Sequence, residues 1–287
     1  MRNRWQAVLP AGIVAVAVLL MASCVVADRK GRAPSGQRVT RVLQYNLCGA
    51  SADCPWNGGR SGPGTSVARL VEEVVRLRPD LATVNEICLT QYTWLKEQLV
   101  RSGWLMDGTY ASSLDNVPAC GETGRFGSAV LSRGDVPDGR QDYRRFTHTG
   151  GEVYTNGGRT VSVRRGLLCG HTRLDGQQII ACTAHAFAQA PEQLCEIRDR
   201  INEFPSAVPV VLGGDLNIPP GTPHLSCLTG RFTEADEGRA EPTADGRKID
   251  YVFATRHHFA VQGVHVRKYP ESDHAMLQGV FTLVTAG

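Results

Sequence analysis

Short apolar runs recur along the chain, each about as long as one strand. RVLQYN (41–46), LATVNE (81–86), GSAVLS (127–132), VPVVLG (208–213), IDYVFA (249–254), AVQGVHV (260–266) and HAMLQGVFTLV (274–284) are rich in β-branched and aliphatic residues, as interior strands require. Between them the period changes. Val67, Leu70, Val71, Val74 and Leu77 follow helical spacing behind Thr65 or Ser66 as a cap, and Pro79 stops the helix. A second helix is expected over 90–103, ending at Gly103, and a third from Pro191 to Glu203 with proline in its first turn. RGLLCGHTRLDGQQIIACTAH reads as a hairpin about Asp175-Gly176, a dipeptide favoured in two-residue turns. Gly134 to Gly158 is polar and glycine-rich, and is expected to be a surface excursion. Many strands and few helices in mixed order predict two packed sheets with helices outside them, an α+β arrangement rather than a doubly wound parallel sheet. No GxGxxG after a strand, P-loop or GxSxG pattern is present.

The N-terminus follows other rules. Arg2 and Arg4 precede an uncharged run from Ala7 to Ala27, and Asp28, Arg29 and Lys30 follow it, so residues 1–27 read as an export signal. Three outcomes remain open. Val25-Val26-Ala27 is a tolerable cleavage site; Met21-Ala22-Ser23-Cys24 resembles a bacterial lipobox with Cys24 lipidated; and the run is just long enough to stay as an anchor. All three put the remainder outside the cytoplasm, secreted or held at the outer face of the membrane. A polar tether, 28–38, then leads to one domain over 39–287, large enough for a substantial core. Cysteine parity agrees: of nine, all but Cys24 lie in that domain, an even number available for disulfides. Counting outward from the hairpin turn puts Cys169 opposite Cys182 at a non-hydrogen-bonded position, where side chains come closest. Sequence proximity suggests Cys48–Cys54, Cys88–Cys120 and Cys195–Cys227. No CxxC or paired Cys/His spacing points to zinc. The formal charge of +3 falls to +1 without Arg2 and Arg4, so any affinity for nucleic acid has to come from a local patch.

The polar exceptions stand at strand ends. Asn46 closes one strand, Glu86 another and His185 the hairpin; Asp215 and Asn217 follow two glycines in VVLGGDLN; Asp250 lies in KIDYVF, and Asp273-His274 opens the last strand. Singly, each has a structural explanation: Asn46 as a turn residue, His185 as a satisfied core histidine, Asp250 paired with Lys248 or Arg247, Ser272-Asp273-His274 as an exposed turn. As a set they do not, because clustered carboxylates are costly unless a cation or hydrogen bonds compensate them.

The ordered motifs QYN, VNE, TAHAF, GGDLN, KIDYVF and SDH resemble those of the endonuclease/exonuclease/phosphatase superfamily over roughly residues 39 to 285. The resemblance implies a four-layer α/β/β/α sandwich of two mixed sheets and a metal-dependent phosphoesterase. It implies Glu86 as principal ligand of a divalent cation, with Asn46 and Asp273 close to it. Mg²⁺ is expected ahead of Mn²⁺ or Ca²⁺, since the donors are hard oxygens. It further implies His274 as general base or phosphate contact oriented by Asp250, and His185 on the other side of the phosphate. Asp215 and Asn217 would orient the attacking water, with Asp215 an alternative base. Gly213 and Gly214 would let the phosphate approach, although packing also accounts for them. Ala186-Phe187 departs from the leucine usual after the histidine, and the carboxylate supporting His185 has no secure counterpart, Glu122 being the candidate.

Three functions follow as expectations. The first is an exported nuclease, because Arg140, Arg144, Arg145, Arg159, Arg164 and Arg165 face only Asp142 and Glu152 within one segment and could track phosphates. Arg125, Arg144 and Arg145 are its candidate substrate contacts, with nucleic acid as the partner. The second is a phosphatase or phospholipase-C-like hydrolase of an inositol-type or lipid phosphoester; the absence of adjacent aromatics counts against the lipid version. The third, a binding module with a decayed site, is disfavoured because every expected polar position is filled. No protein partner is expected, the chain is expected to be monomeric, and membrane contact is expected only through the N-terminal lipid or signal anchor.

Overall fold

A computed structural model describes residues 37–137, 141–156, 158–236 and 239–284; the export signal, Cys24, most of the tether and Arg140 lie outside the described residues. In chain order the strands are β1 (Gln37–Asn46), β2 (Leu81–Cys88), β3 (Asp107–Leu114), β4 (Phe126–Ser132), β5 (Gln141–Arg145), β6 (Val153–Asn156) and β7 (Arg159–Ser162). They continue as β8 (Gly166–Leu174), β9 (Gln177–His185), β10 (Val210–Asp215), β11 (Phe232–Glu234), β12 (Asp250–Thr255), β13 (Phe259–Lys268) and β14 (Ala275–Val284). Three helices accompany them, α1 (Ser66–Leu77), α2 (Leu89–Arg101) and α3 (Gln193–Asn202), besides shorter turns.

The strands form two six-stranded sheets, ordered β13-β14-β1-β2-β4-β3 and β11-β12-β10-β9-β8-β5, with β6-β7 as a separate ribbon. Alternation along the strands divides the core into layers. Val42, Leu81, Val130, Ile179, Val211 and Leu277 pack between the sheets. Leu43, Tyr45 and Val84 turn to the opposite face of the first sheet and meet Leu70, Val74 and Leu95 of α1 and α2. Ile180 and Leu212 do the same on the second sheet against Leu194, Ile197 and Ile201 of α3. The result is the helix–sheet–sheet–helix order that was expected, with both sheets of mixed direction.

Local signals set the helix ends. Thr65 caps α1 by accepting from Ala68 N at 3.3 Å, and Arg78 ends it in the left-handed region. At the hairpin, Asp175 and Gly176 both have positive φ, and Cys169 pairs with Cys182 in register. All four disulfides join the expected partners. Disulfides on this scale fit an oxidising compartment, and no helix among the described residues is long and apolar enough to cross a membrane.

Two expectations change. The span Gly134–Gly158 is not wholly a surface excursion: β5 pairs antiparallel with β8 as an edge of the second sheet. An edge strand needs only one apolar face, and the two arginines of QDYRR conceal it. The first strand begins at Gln37, inside the stretch read as tether, and Arg38 ion-pairs with Asp175 at 2.7 Å.

Candidate active site

Strand register builds half of the site. Asp215 ends β10 opposite His185 on β9 and opposite Asp250 on β12, so one row across the second sheet carries all three. Adjacent strands in register share a face. The two glycines before Asp215 are explained by packing. A Cβ on Gly213 would stand 2.0 Å from Thr83 Oγ1 of the facing sheet, and one on Gly214 would stand 2.1 Å from the Ala184 carbonyl. They let the sheets and neighbouring strands approach, rather than making room for a phosphate.

The first sheet supplies the other half. Its register against β4 slips between Val84 and Ile87, a bulge at which Glu86 adopts φ +55°. A left-handed glutamate costs on the order of 1–2 kcal/mol, and bulges re-aim side chains. Here the bulge brings Glu86 Oε1 within 3.1 Å of Asn46 Nδ2, at the end of β1. The same amide nitrogen donates to Asp215 Oδ2 at 3.0 Å, joining the two sheets. Asn46 Oδ1 is committed to the Cys48 N–H at 2.9 Å, so Asn46 shows its nitrogen to the carboxylates. Its expected place as an oxygen ligand is therefore not seen; it is a donor holding Glu86 and Asp215 together.

His274 is buried and its Nδ1 donates to Asp250 Oδ2 at 2.8 Å, the expected histidine–carboxylate pair. Its Nε2 faces Asp215 Oδ2 at 3.8 Å. The Ser272 hydroxyl, which donates to the Asn46 carbonyl, accepts from His274 N and pins the loop. Lys248 does not partner Asp250; it is buried between Glu234 and Asp236. His185 Nε2 lies 3.4 Å from Asp215 Oδ2, 3.9 Å from Glu86 Oε1 and 3.4 Å from Asn217 Nδ2. Asn217, also at positive φ, is fixed by its N–H to Asp215 Oδ1 and by its side chain to the Ala186 carbonyl. Glu122 is exposed, and the carboxylates around His185 are Asp215 and Glu86.

Burial dominates the electrostatics. It raises the Glu86 carboxyl, and burial together with the Asp250 charge pushes Asp215 up to about 7. Burial followed by the Arg165 and His274 charges holds His185 well below its ordinary value, as a neutral imidazole. Burial would lower His274 too, but the Asp250 charge and hydrogen bond, with Asp215 and Asp273, raise it to about 10.

Glu86, His185 and Asp215 offer ligand atoms within 4.8 Å of one another, and Asp215, Asp250 and His274 form a second such trio. The first trio, two carboxylates that burial has raised, suits a hard divalent cation, which would relieve both. Asp273 is exposed beside the Cys48–Cys54 disulfide; no trio of His, Cys, Asp or Glu among the described residues joins it to Glu86, although its charge is felt there.

A cleft of about 360 Å³ opens onto Glu86 and His185. Arg165 lines it, whereas Arg125, Arg144 and Arg145 do not. Arg144 is held by Asp142 and by Glu203 at 2.9 Å, Arg125 lies over the Tyr110 ring, and Arg145 is exposed. Arg165 was legible only as one of a run. It binds Glu152 through both nitrogens Nε and Nη2, donates to the Ala186 carbonyl, and lies over Phe187, next to the His185 segment. Asn85, within the VNE motif but assigned no role from sequence, is a second such residue. Its Oδ1 accepts from Gln44 Nε2 at 2.9 Å and Asp215 N at 3.0 Å, and its Nδ2 donates to Ser128 and Thr183 at 3.1 Å.

A family model described as the Endonuclease/Exonuclease/phosphatase family matches residues 43–274. Among solved structures, an endonuclease/exonuclease/phosphatase from Beutenbergia cavernae is similar at 23% identity and TM-score 0.66, covering 87% of this chain and 72% of that one. A mannosyl-6-phosphatase from Bacteroides thetaiotaomicron is similar at 19% identity and TM-score 0.61, covering 86% and 100%. The human Nocturnin catalytic domain with bound sulfate is similar at 17% identity and TM-score 0.58, covering 86% and 98%. No curated protein matches by sequence.

Proposed function

We propose, for a chain that belongs to the endonuclease/exonuclease/phosphatase family, the activity of an exported, divalent-cation-dependent phosphodiesterase acting on nucleic-acid backbone. Family members are hydrolases of phosphoester bonds and are generally dependent on divalent metals. The observation supporting this reading is the convergence of Asn46, Glu86, His185, Asp215, Asp250 and His274 from two sheets into one cluster, which Glu86 and His185 present to the cleft.

Glu86 and Asp215 would hold the cation, with the Asp273 charge acting on it from a distance. Once bound, it would neutralise charge developing on the phosphoryl and leaving oxygens. The chain's own groups then divide the remaining work. Burial and the Asp250 charge push Asp215 up to about 7 on their own; with a cation beside it the carboxylate would be charged and would orient the attacking water. His274 stays protonated near neutral pH, so its Nε2–H is a cationic donor to a phosphoryl oxygen rather than a base. Asp250 fixes its tautomer and ring. Neutral His185 and Asn217 flank the other side.

One observation favours a second reading, a phosphatase of a small phosphoester: the cleft has one arginine, and Arg144 is engaged elsewhere. Plasmid DNA, RNA, sphingomyelin and inositol phosphates, each incubated with Mg²⁺ and with chelator, separate the two. Cleavage of nucleic acid, lost with chelator and in Glu86→Ala, is the expected result. Chelator-sensitive release from an inositol phosphate alone would favour the second, and no release from any substrate would remove both.

A further inference from the structure

The cleft has a wall that phosphate chemistry does not require. Leu114, Val117, Phe126, Val153, Tyr154 and Val163 line it opposite Glu86 and His185. Val153 is 59% exposed, a large apolar side chain left at the rim. Part of this wall is the β6-β7 ribbon, which belongs to neither main sheet. A lone two-stranded ribbon is marginal by itself. This one is held because Tyr154, Val161 and Val163 pack on a cluster containing Cys88 and Cys120, which form a disulfide.

The charge lining the cleft is equally informative. Arg165 is its lone cation, itself bound by Glu152, while Asp53, Glu86 and Glu152 are acidic. A groove that follows several phosphates needs several cations. This one would repel a second phosphate while offering a neutral, apolar face to whatever the first is attached to.

We propose that the apolar wall seats a nucleobase, so that the substrate is a phosphoester carrying one nucleoside at the cleft, with its phosphate at the Glu86–His185 end. This rests on the phosphoesterase reading and narrows it. The volume lies within the range of sites for small organic groups. A flat aromatic face suits Tyr154 and its aliphatic neighbours, whereas a bare sugar phosphate would set hydroxyls against that wall. The base binds by stacking and area, so the cleft grips one nucleoside beside the reacting phosphate rather than a run of phosphates.

Adenosine 5′-monophosphate and ribose 5-phosphate differ by the base, and the former is the kind of monoester a diesterase would release. Calorimetric titration of the full chain with each, in Mg²⁺, should give a dissociation constant about tenfold lower for the nucleotide. That ratio should fall toward one in Tyr154→Ala and in Val153→Asp; the second alters an exposed side chain, and matching melting curves confirm its fold. A ratio near one in the unaltered protein, or a ratio that both variants retain, overturns the inference. Hydrolysis of bis(p-nitrophenyl) phosphate with Mg²⁺ and with chelator is followed in parallel. Hydrolysis without base discrimination removes the nucleobase seat alone, whereas no hydrolysis of that diester removes the phosphoesterase reading beneath it.

Discussion

Replacing Asn85 by alanine should damage the protein more than any motif at that position announces. Asn85 is fully buried between the sheets, and one oxygen satisfies both Asp215 N–H and Gln44 Nε2. Truncation leaves those two donors without an acceptor in a region closed to water. An unpaired buried donor costs about 1–3 kcal/mol, so the pair predicts a loss of about 2–6 kcal/mol. For a domain of this size each kcal/mol moves Tm by about 2–4 °C, which puts the variant about 4–24 °C below the unaltered protein. Circular dichroism melting without reductant, so that the disulfides remain closed, measures this directly. Phosphoester hydrolysis should fall as well, because Asp215 N is one of the anchors of its carboxylate. A Tm within about 2 °C of the unaltered protein would refute the reasoning. The bridge between Asn85 and Asp215 would then be replaceable by a shift of the sheets, and could not be what sets their spacing.

Further outcomes follow from other parts of the structure. Asp250→Asn removes the charge that, against burial, raises His274 to about 10. A raised histidine contributes stability that is fully present below about 6.5 and is lost as pH rises through about 10. In chelator, the stability gap between the unaltered protein and this variant should therefore be wider at pH 6 than above pH 10 in urea titrations, and a constant gap would contradict the pairing. Removing the Cys169–Cys182 disulfide by a double alanine substitution opens a short loop, with a sequence separation of 13, and should cost about 3 kcal/mol in the same assay. Arg144→Ala should leave hydrolysis within about twofold, since Asp142 and Glu203 already hold that side chain. Arg165→Ala should lower it by tenfold or more, having lost a half-buried charge beside the site; equal effects would return Arg144 to the list of substrate contacts.

How much of this was legible varies with the physics involved. β10 and β12 are continuous apolar runs, and a strand buried on both faces leaves no other reading. The Cys169–Cys182 pairing followed from a two-residue turn, because turn geometry fixes register for the whole ladder. β5, β6 and β7 were not legible. Each is short and lies at an edge or in a ribbon, where apolar demand is weak and arginines intrude. The same split runs through the site. Glu86, Asp215 and His274 stood out because carboxylates and histidines at strand ends need explaining. Asn85 did not, because an amide carries no charge and its importance lies in partners on strands distant in sequence. The direction of the Asn46 amide was equally hidden, being decided by the Cys48 N–H. Arg144 misled for the converse reason: charge counts along a segment say nothing about which carboxylate has already claimed an arginine.

The division of the site between two sheets ties its chemistry to their packing. Asn46 and Glu86 belong to the first sheet, and His185, Asp215 and Asp250 to the second. Neither group alone contains both a donor set for a cation and a charged donor for a phosphoryl oxygen. At the site they are joined by a short column of neutral amides and hydroxyls: Asn46 reaching Asp215, Asn85 reaching Asp215 N and Thr183, and Thr83 bonded to Gln44 over Gly213, where a Cβ would displace the Thr83 side chain. Beside the buried His274–Asp250 pair, neutral groups suit that column, since a further charge there would be desolvated and would shift the very carboxyls the site depends on. A cation placed between Glu86 and Asp215 would therefore act on the fold as well as on a phosphate, by adding an attraction across the sheet interface to the apolar packing and amide hydrogen bonds already there. Binding to the native state but not the unfolded one raises stability with cation concentration, so the site and the sandwich are expected to respond to the same titration.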